Sequence, residues 1–160
     1  MRIPVWGGVA LFASVLLLPE AILSADKTDE VAFPKLPKLA GKIDPDAPKV
    51  FQTTKSGLKY RILRKGTGAR PTAADTVKVH YHGWLSNGKV FDSSYNRGEP
   101  ISFPLNRVIK GWTEGMQLVG EGGMIELEIP PDLAYGDRGA GAAVPPKATL
   151  HFLVELLSVQ

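Results

Sequence analysis

The chain has 160 residues, a formal net charge of +3 and no cysteine. This length suits one domain with a core of ordinary size plus an N-terminal extension, without any need for disulfides. Because the positive charge is small and scattered and no thiol is present, the composition argues against nucleic-acid binding, thiol catalysis and lipid attachment through cysteine.

The first 25 residues have the pattern of an export signal. Arg2 gives a positive start, and residues 5–18 form an apolar run of about the length of a signal core. That run is shorter than the roughly 20 residues needed to span a bilayer. We therefore predict a signal peptide over residues 1–25 and an exported protein of the periplasm or cell envelope, with no stable membrane span after processing. An uncleaved N-terminal tether and a buried N-terminal helix are the alternatives.

Residues 26–50 are rich in proline and carry equal numbers of lysines and acidic residues. No apolar periodicity is present. This composition predicts an extended, partly polyproline-like linker that leads to a folded domain over residues 51–160. The prolines also argue against a helical dimerisation arm, so we expect a monomer.

Alternating apolar and polar residues predict strands over residues 57–64 and 76–85. The first strand places Arg61 on its solvent face. The buried face of the second carries four residues: Val77, Val79, Tyr81 and Leu85. The pair Asn87-Gly88 predicts a two-residue hairpin turn, after which the chain returns with Phe91 and Asp92 close to Tyr81.

The apolar period becomes helical between Arg107 and Gly120. Trp112, Met116 and Val119 fall on one side, and Gly120 can end the helix. Because Gly115 inside a helix costs about 1 kcal/mol relative to alanine, we expect the helix to pack closely against the sheet there.

Three further strands are predicted over residues 101–103, 124–129 and 149–159. The second of these places Glu126 and Glu128 on the solvent side. A glycine-rich loop over residues 135–146 precedes the last strand. These elements predict an α+β domain, in which an antiparallel sheet of about five strands wraps around one short helix.

Several motifs suggest catalytic or metal chemistry but lack the residues to support it. The glycine-rich loop has no Gly-Lys-Ser/Thr ending, and Pro145-Pro146 prevent a helix from starting where a phosphate would bind. The three histidines (His80, His82, His151) have no carboxylate or cysteine placed to complete a metal site. Ser93 and Ser94 have no activating His-acid pair, so a turn or capping role suits them better. We expect no metal and no cofactor.

The remaining candidates are aromatic and aliphatic: Tyr81, Phe91, Phe103, Val108, Ile109, Trp112, Tyr135, Val144 and Phe152. Taken singly, most are best explained as core residues. Two features indicate a ligand pocket instead. Asp92 and Arg97 put an ion pair at the rim, and Ile109 lies just before the helix, where backbone N–H groups are not yet committed to helical bonds. An apolar pocket with a few directional polar groups is what a small ligand requires.

Five motifs occur along this domain: Val79-His-Tyr81, Gly88-Lys-Val-Phe-Asp-Ser-Ser94, Val108-Ile-Lys-Gly-Trp112, Ala134-Tyr-Gly136 and Val144-Pro-Pro-Lys-Ala-Thr-Leu150. In order and spacing, from about residue 57 to residue 159, they resemble the FKBP-type peptidyl-prolyl cis-trans isomerases. The resemblance implies a twisted, mainly five-stranded antiparallel sheet around one short helix. It also implies an enzyme that accelerates rotation about X-Pro bonds, with proline-containing polypeptides as substrates and macrolides as inhibitors.

The resemblance further implies a role for each pocket residue. The catalytic positions are Tyr81, Phe91, Asp92, Ile109, Trp112, Tyr135 and Phe152. The substrate-binding positions are Arg97, Ile101, Phe103, Val108 and Val144. A non-catalytic proline-peptide binder or a holdase chaperone is the alternative function.

Within this implied pocket, Trp112 forms the floor, while the Ile109 N–H and the Tyr135 hydroxyl bind substrate carbonyls. Tyr81 and Arg97 hold Asp92 in place. Ile101 stands where the family often has an aromatic residue, which opens one wall.

Overall fold

The computed structural model describes residues 30–160, so the predicted signal peptide lies outside the described residues. An antiparallel sheet of seven strands forms most of this part of the chain. The strands are β1 (Gln52–Thr53), β2 (Lys59–Arg64), β3 (Thr76–Leu85), β4 (Val90–Ser93), β5 (Ile101–Pro104), β6 (Met124–Ile129) and β7 (Leu150–Val159). Their order is β1-β2-β6-β7-β3-β4, and β5 also pairs with β3.

Between residues 30 and 160, two helices accompany the sheet: α1 (Ser94–Arg97) and α2 (Lys110–Met116). The same part of the chain has 3-10 turns at Leu105–Arg107, Pro131–Leu133 and Gly136–Arg138. The predicted α+β class with an antiparallel sheet is confirmed. Strand β5 and the returning hairpin strand β4 were predicted, but β1 was not, because its two residues are too few to show an alternation. Neither helix of residues 30–160 is long and apolar enough to cross a bilayer.

Helix α2 packs closely against the sheet, as predicted from Gly115. A Cβ atom on Gly111 would lie 2.4 Å from Ile129, and one on Gly115 would lie 2.7 Å from Leu127. The helix ends at Met116, before the predicted Gly120. The chain beyond it turns back, and Glu121 exchanges backbone hydrogen bonds with the loop at residues 67–69, which competes with further helical bonds.

The β3–β4 hairpin has the predicted strands but a longer turn. The Leu85 N–H donates to the Lys89 carbonyl (2.9 Å), and the Gly88 N–H donates to the Leu85 carbonyl (2.8 Å). The loop therefore contains three residues, 86–88, and within it only Gly88 adopts a positive φ, +83°. A three-residue loop needs one left-handed position, and the two-residue turn predicted from Asn87-Gly88 needs two.

Residues 31–50, which we call the strap, lie along the outer face of the sheet. They have no helix or strand, although two hydrogen-bonded turns interrupt the extended course predicted for them, and they do not stand apart from the domain. Leu36 and Ile43 pack on a buried cluster formed by Leu63, Met124 and Leu153. The strap residues that make these contacts are too irregularly spaced to produce a periodic signal.

The strap buries two residues that were predicted to face solvent. Arg61 is fully buried and Glu126 is 5% exposed, whereas their alternation pattern predicted exposure. The Arg61 guanidinium donates to the Val31, Ala32 and Lys49 carbonyls and to the Glu126 carboxylate, over distances of 2.6 to 3.0 Å. It also lies 4.9 Å and 4.6 Å from the ring centroids of Phe33 and Phe51. The prediction of solvent exposure was wrong because alternation identifies two faces without showing what covers the second.

Candidate active site

An open cavity of about 760 Å³ lies on the face of the sheet that carries α2. Strands β3, β4, β5 and β7, both helices and two connecting segments contribute to it. The lining residues are Tyr81, Phe91, Asp92, Arg97, Ile101, Phe103, Arg107, Val108, Ile109, Trp112, Tyr135 and Phe152. The fold thus brings together every predicted pocket residue except Val144.

Trp112 forms the floor of the cavity and is only 4% exposed. Three aromatic rings meet it nearly at right angles, with centroids 5.3 to 5.7 Å away: Tyr81, Phe103 and Phe152. Edge-to-face contacts at this distance are favourable because the positive ring edge meets the negative face. The floor is therefore fixed from several sides.

Phe91 forms a wall by packing edge-on against Phe152, at 5.4 Å between centroids. Its place depends on Gly83 of β3. A Cβ atom there would lie 2.7 Å from Phe91 and 2.8 Å from Phe152. The missing side chain of Gly83 is what lets both rings approach the strand.

Asp92 is held at the rim by two donors. The Tyr81 hydroxyl donates to one carboxylate oxygen and the Arg97 guanidinium donates to the other. Arg97 also donates to the Tyr81 hydroxyl oxygen (2.8 Å), which closes the triangle. The Ser93 N–H donates to Asp92 as well (2.8 Å). Both carboxylate oxygens thus accept hydrogen bonds, which hold the Asp92 side chain in one orientation.

These contacts set the protonation states of the site. Burial alone would raise the pKa of Asp92, but the hydrogen bonds from Tyr81 and Arg97 outweigh it, and the pKa is lowered. Burial and the bond to Asp92 raise the pKa of Tyr81. At neutral pH Asp92 is thus a carboxylate and Tyr81 a neutral phenol, and neither of these two groups is poised to exchange protons.

The Ile109 backbone N–H and the Tyr135 hydroxyl are polar groups that a ligand in the cavity can reach. Ile109 is the N-cap of α2, and its carbonyl accepts bonds from Trp112 and Thr113 (2.9 and 3.1 Å). Its own N–H makes no hydrogen bond within residues 30–160, as expected ahead of a helix. Tyr135 lies at the rim and is 44% exposed. Both groups border an otherwise apolar cavity.

The structure differs from the prediction at two positions. Val144 is 3% exposed and packs in the core instead of lining the cavity. Its backbone pairs with Ala140 in a tight turn (2.8 and 3.2 Å), and this turn fixes the side chain inside. Arg107 lines the cavity although it was not predicted to do so. Its position beside Val108-Ile109 was the available signal.

Each of the three histidines forms a hydrogen bond with a serine hydroxyl outside the cavity. Three Nδ1 or Nε2 atoms lie 2.9 to 3.2 Å from serine hydroxyls, in the pairs His80–Ser94, His82–Ser93 and His151–Ser86. Ser93 also caps α1 by accepting from the Asn96 N–H. The predicted capping role of Ser93 is confirmed.

A sequence model of the FKBP-type peptidyl-prolyl cis-trans isomerases matches residues 68–157. The chain belongs to this family. A probable FKBP-type isomerase of Haemophilus influenzae is 58% identical over 111 residues, which are 69% of this chain and 46% of that protein. An FKBP-type 22 kDa isomerase of Escherichia coli is 54% identical over 67% of this chain and 52% of its own length.

Solved FKBP-type structures have the same fold. FkpA from Escherichia coli superposes with a TM-score of 0.67 and 51% identity, over 69% of this chain and 51% of that one. An isomerase from Pseudomonas syringae gives 0.65 and 39%, over 69% and 80%. The chain spans about half the length of the curated FKBP-type relatives it matches.

Proposed function

We propose that this protein catalyses cis-trans isomerisation of X-Pro peptide bonds in exported polypeptides. One observation carries the proposal: an apolar cavity, floored by Trp112, is bordered by a carboxylate fixed by Tyr81 and Arg97. Membership of the FKBP-type family supports the same reaction.

The reaction requires no nucleophile. Rotation about a peptide C–N bond faces a barrier of about 18–20 kcal/mol because amide resonance is lost in the twisted state. For X-Pro bonds the two isomers are nearly equal in energy but exchange over tens of seconds or longer. A catalyst needs only to bind the twisted amide better than the planar one.

The cavity suits that task. A proline ring on Trp112 would place the preceding amide against the apolar wall that Phe91 and Phe152 form together, and this contact would displace water from the amide. The planar amide is the more dipolar form, so removing water destabilises it relative to the twisted form. The Ile109 N–H and the Tyr135 hydroxyl would hold the flanking carbonyls. Asp92 acts as a fixed dipole partner and not as a general base, because its pKa is lowered.

The proposal is tested by NMR exchange on a short X-Pro peptide. We expect wild-type protein to accelerate exchange, and Asp92→Asn and Phe91→Leu each to lower kcat/KM by about tenfold or more, equivalent to at least about 1.4 kcal/mol. The melting temperature of both variants should stay within a few degrees of wild type. Leu39→Ala, on the exposed part of the strap, serves as the control. Unchanged rates for both site variants would refute the proposed roles.

The same experiment separates catalysis from simple binding. A macrolide inhibitor should compete for the cavity and abolish the acceleration. If the peptide binds but its exchange rate stays at the uncatalysed value, the protein is a proline-peptide binder or a holdase.

The exported location and the monomeric state are further parts of the proposal. They rest on the sequence pattern of residues 1–25 and on the prolines of residues 26–50. Expression with the full N-terminus, followed by cell fractionation and mass measurement, should give an envelope protein shortened at about Ala25. Full-length protein retained in the cytoplasm would contradict export, and a dimer mass in solution would contradict the monomer.

A further inference from the structure

Arg107 is the charged residue of the cavity that the proposed mechanism leaves unused. Three ionised side chains line the cavity: Asp92, Arg97 and Arg107. The first two form an ion pair and neutralise each other. Arg107 makes no salt bridge within residues 30–160. The lining therefore has a net positive charge, carried by a side chain that is exposed to solvent.

The backbone below Arg107 is held firmly. It ends the 3-10 turn Leu105–Arg107, in which Leu105 is fully buried. The Leu105 N–H donates to the Asp75 carbonyl (2.9 Å), and the Thr113 hydroxyl donates to the Leu105 carbonyl (2.5 Å). Arg107 thus stands at a fixed place on the rim, two residues before the available N–H of Ile109.

Three other arginines of residues 30–160 have partners within the protein. Arg61, Arg64 and Arg97 each donate hydrogen bonds to carboxylates or carbonyls of the protein. An exposed arginine without such partners is ordinary on a surface. At the mouth of a peptide-binding cavity, however, it offers five N–H donors within reach of a bound chain, and a carboxylate can accept two of them at once.

We propose that Arg107 is a specificity-determining residue that favours X-Pro segments with a carboxylate on a residue flanking the proline. This inference rests on the proposed isomerase function. The carboxylate belongs to an aspartate or glutamate within two residues of the proline, near the carbonyl that the Ile109 N–H binds. Arg97 does not compete for it because Asp92 occupies its guanidinium.

The test uses peptides that differ at one position. Glutamate, glutamine or lysine is placed one or two residues before the proline, or one or two residues after it. Both kcat/KM by NMR exchange and Kd by titration are measured on the full chain. For wild-type protein we expect glutamate to be favoured over glutamine by about two- to fivefold at one of these positions, the range of an exposed ion pair. The preference should fade as salt is added.

Variants then assign the preference to Arg107. Arg107→Gln should bring the glutamate-to-glutamine ratio to about one, and Arg107→Glu should reverse it in favour of lysine. Arg70→Gln, which removes an exposed arginine that does not line the cavity, should keep the wild-type ratio.

Two results would overturn the inference: a ratio near one in the wild-type protein at every position, or a ratio that persists in Arg107→Gln. The outcome is separable from that of the proposed function. Acceleration of the glutamine peptide by wild-type protein tests the isomerase activity, while the ratio of Kd values tests Arg107 even if no peptide is isomerised.

Discussion

Two arginine–carboxylate pairs lie on opposite faces of the same sheet and do different work. Arg97–Asp92 borders the cavity, with side chains 43% and 42% exposed. Arg61–Glu126 lies beneath the strap, with side chains 0% and 7% exposed. Both pairs join a guanidinium to a carboxylate, and they differ in how far water can reach the two charged groups.

Exposure decides what each pair contributes. An exposed pair is worth about 0–1 kcal/mol because water screens the charges. Arg97 and Asp92 therefore add little stability, and the value of their pairing is the fixed position of the carboxylate. Removing one partner of a buried pair leaves an uncompensated charge and costs about 3–5 kcal/mol. Arg61 and Glu126 hold the strap and the sheet together.

The largest expected effect comes from breaking the buried pair. Arg61→Met should lower the free energy of unfolding by about 3–5 kcal/mol, because Glu126 loses its partner and the strap carbonyls lose their donor. Urea denaturation measures this. Lys59→Met is a matched control, since Lys59 pairs with Glu128 (2.9 Å) on the same two strands with partly exposed side chains. Its cost should be below about 1 kcal/mol. Equal losses in both variants would remove the distinction between the pairs.

Breaking the exposed pair should affect activity and not stability. Arg97→Met frees Asp92 and removes a donor to the Tyr81 hydroxyl. We expect kcat/KM to fall by about tenfold, or about 1.4 kcal/mol, and the free energy of unfolding to change by less than about 1 kcal/mol. Exchange kinetics and urea denaturation on the same preparation test both halves. A large loss of stability with full activity would reverse our assignment.

A third pair, Arg64–Glu155, is intermediate, with side chains 23% and 8% exposed. Burial alone would raise the pKa of Glu155, but hydrogen bonds from Tyr95, Arg64 and the Gly41 N–H outweigh it and lower the pKa. The folded state then binds the proton less tightly than the unfolded chain. The stabilisation of the fold by ionised Glu155 is therefore present above about pH 4, and it is lost as the pH falls through the pKa of Glu155 in the folded state.

Glu155→Gln should therefore reduce the acid sensitivity of the protein. The difference in unfolding free energy between wild type and variant should be constant from about pH 5 to 7 and shrink as the pH falls below about 4. Urea denaturation across this range measures it. A difference that grows on acidification would contradict the lowered pKa.

The smallest expected effect is that of pH on catalysis. Asp92 stays ionised because its pKa is lowered, Tyr81 stays neutral because its pKa is raised, and burial lowers the pKa of nearby His82. The rate enhancement should vary by less than about twofold between about pH 6 and 8. A bell-shaped profile in this range would indicate acid–base catalysis.

The sequence predicted the cavity face better than the strap face. Tyr81 was assigned correctly by alternation, and Trp112 by helical spacing, because each lies in an element whose period reports its buried side. The pocket positions around them followed from motifs spread over the domain. Arg107 was missed, and Val144 was predicted to line the pocket although it packs in the core. Both residues lie outside the strands and α-helices, where no period indicates which way a side chain points.

Arg61 illustrates why the strap face could not be predicted. Its alternation with Tyr60 and Ile62 is real, and β2 has two faces as expected. What covers the second face is a distant, proline-rich segment that contacts it through backbone carbonyls. Carbonyls are common to all residues, so the sequence contains no side-chain pattern that marks them as partners of Arg61.

The two glycines of α2 have a consequence for the shape of the cavity. Trp112 is part of helix α2. The contacts of Gly111 with Ile129 and of Gly115 with Leu127 set the distance between this helix and the sheet. One methyl group at either glycine would lift the helix and carry the indole upward. The depth of the cavity available to a ligand ring thus depends on two glycines beneath the helix, which the ligand does not contact. Substituting either glycine by alanine is therefore a way to make the cavity shallower and exclude larger rings without changing any residue that contacts the ligand.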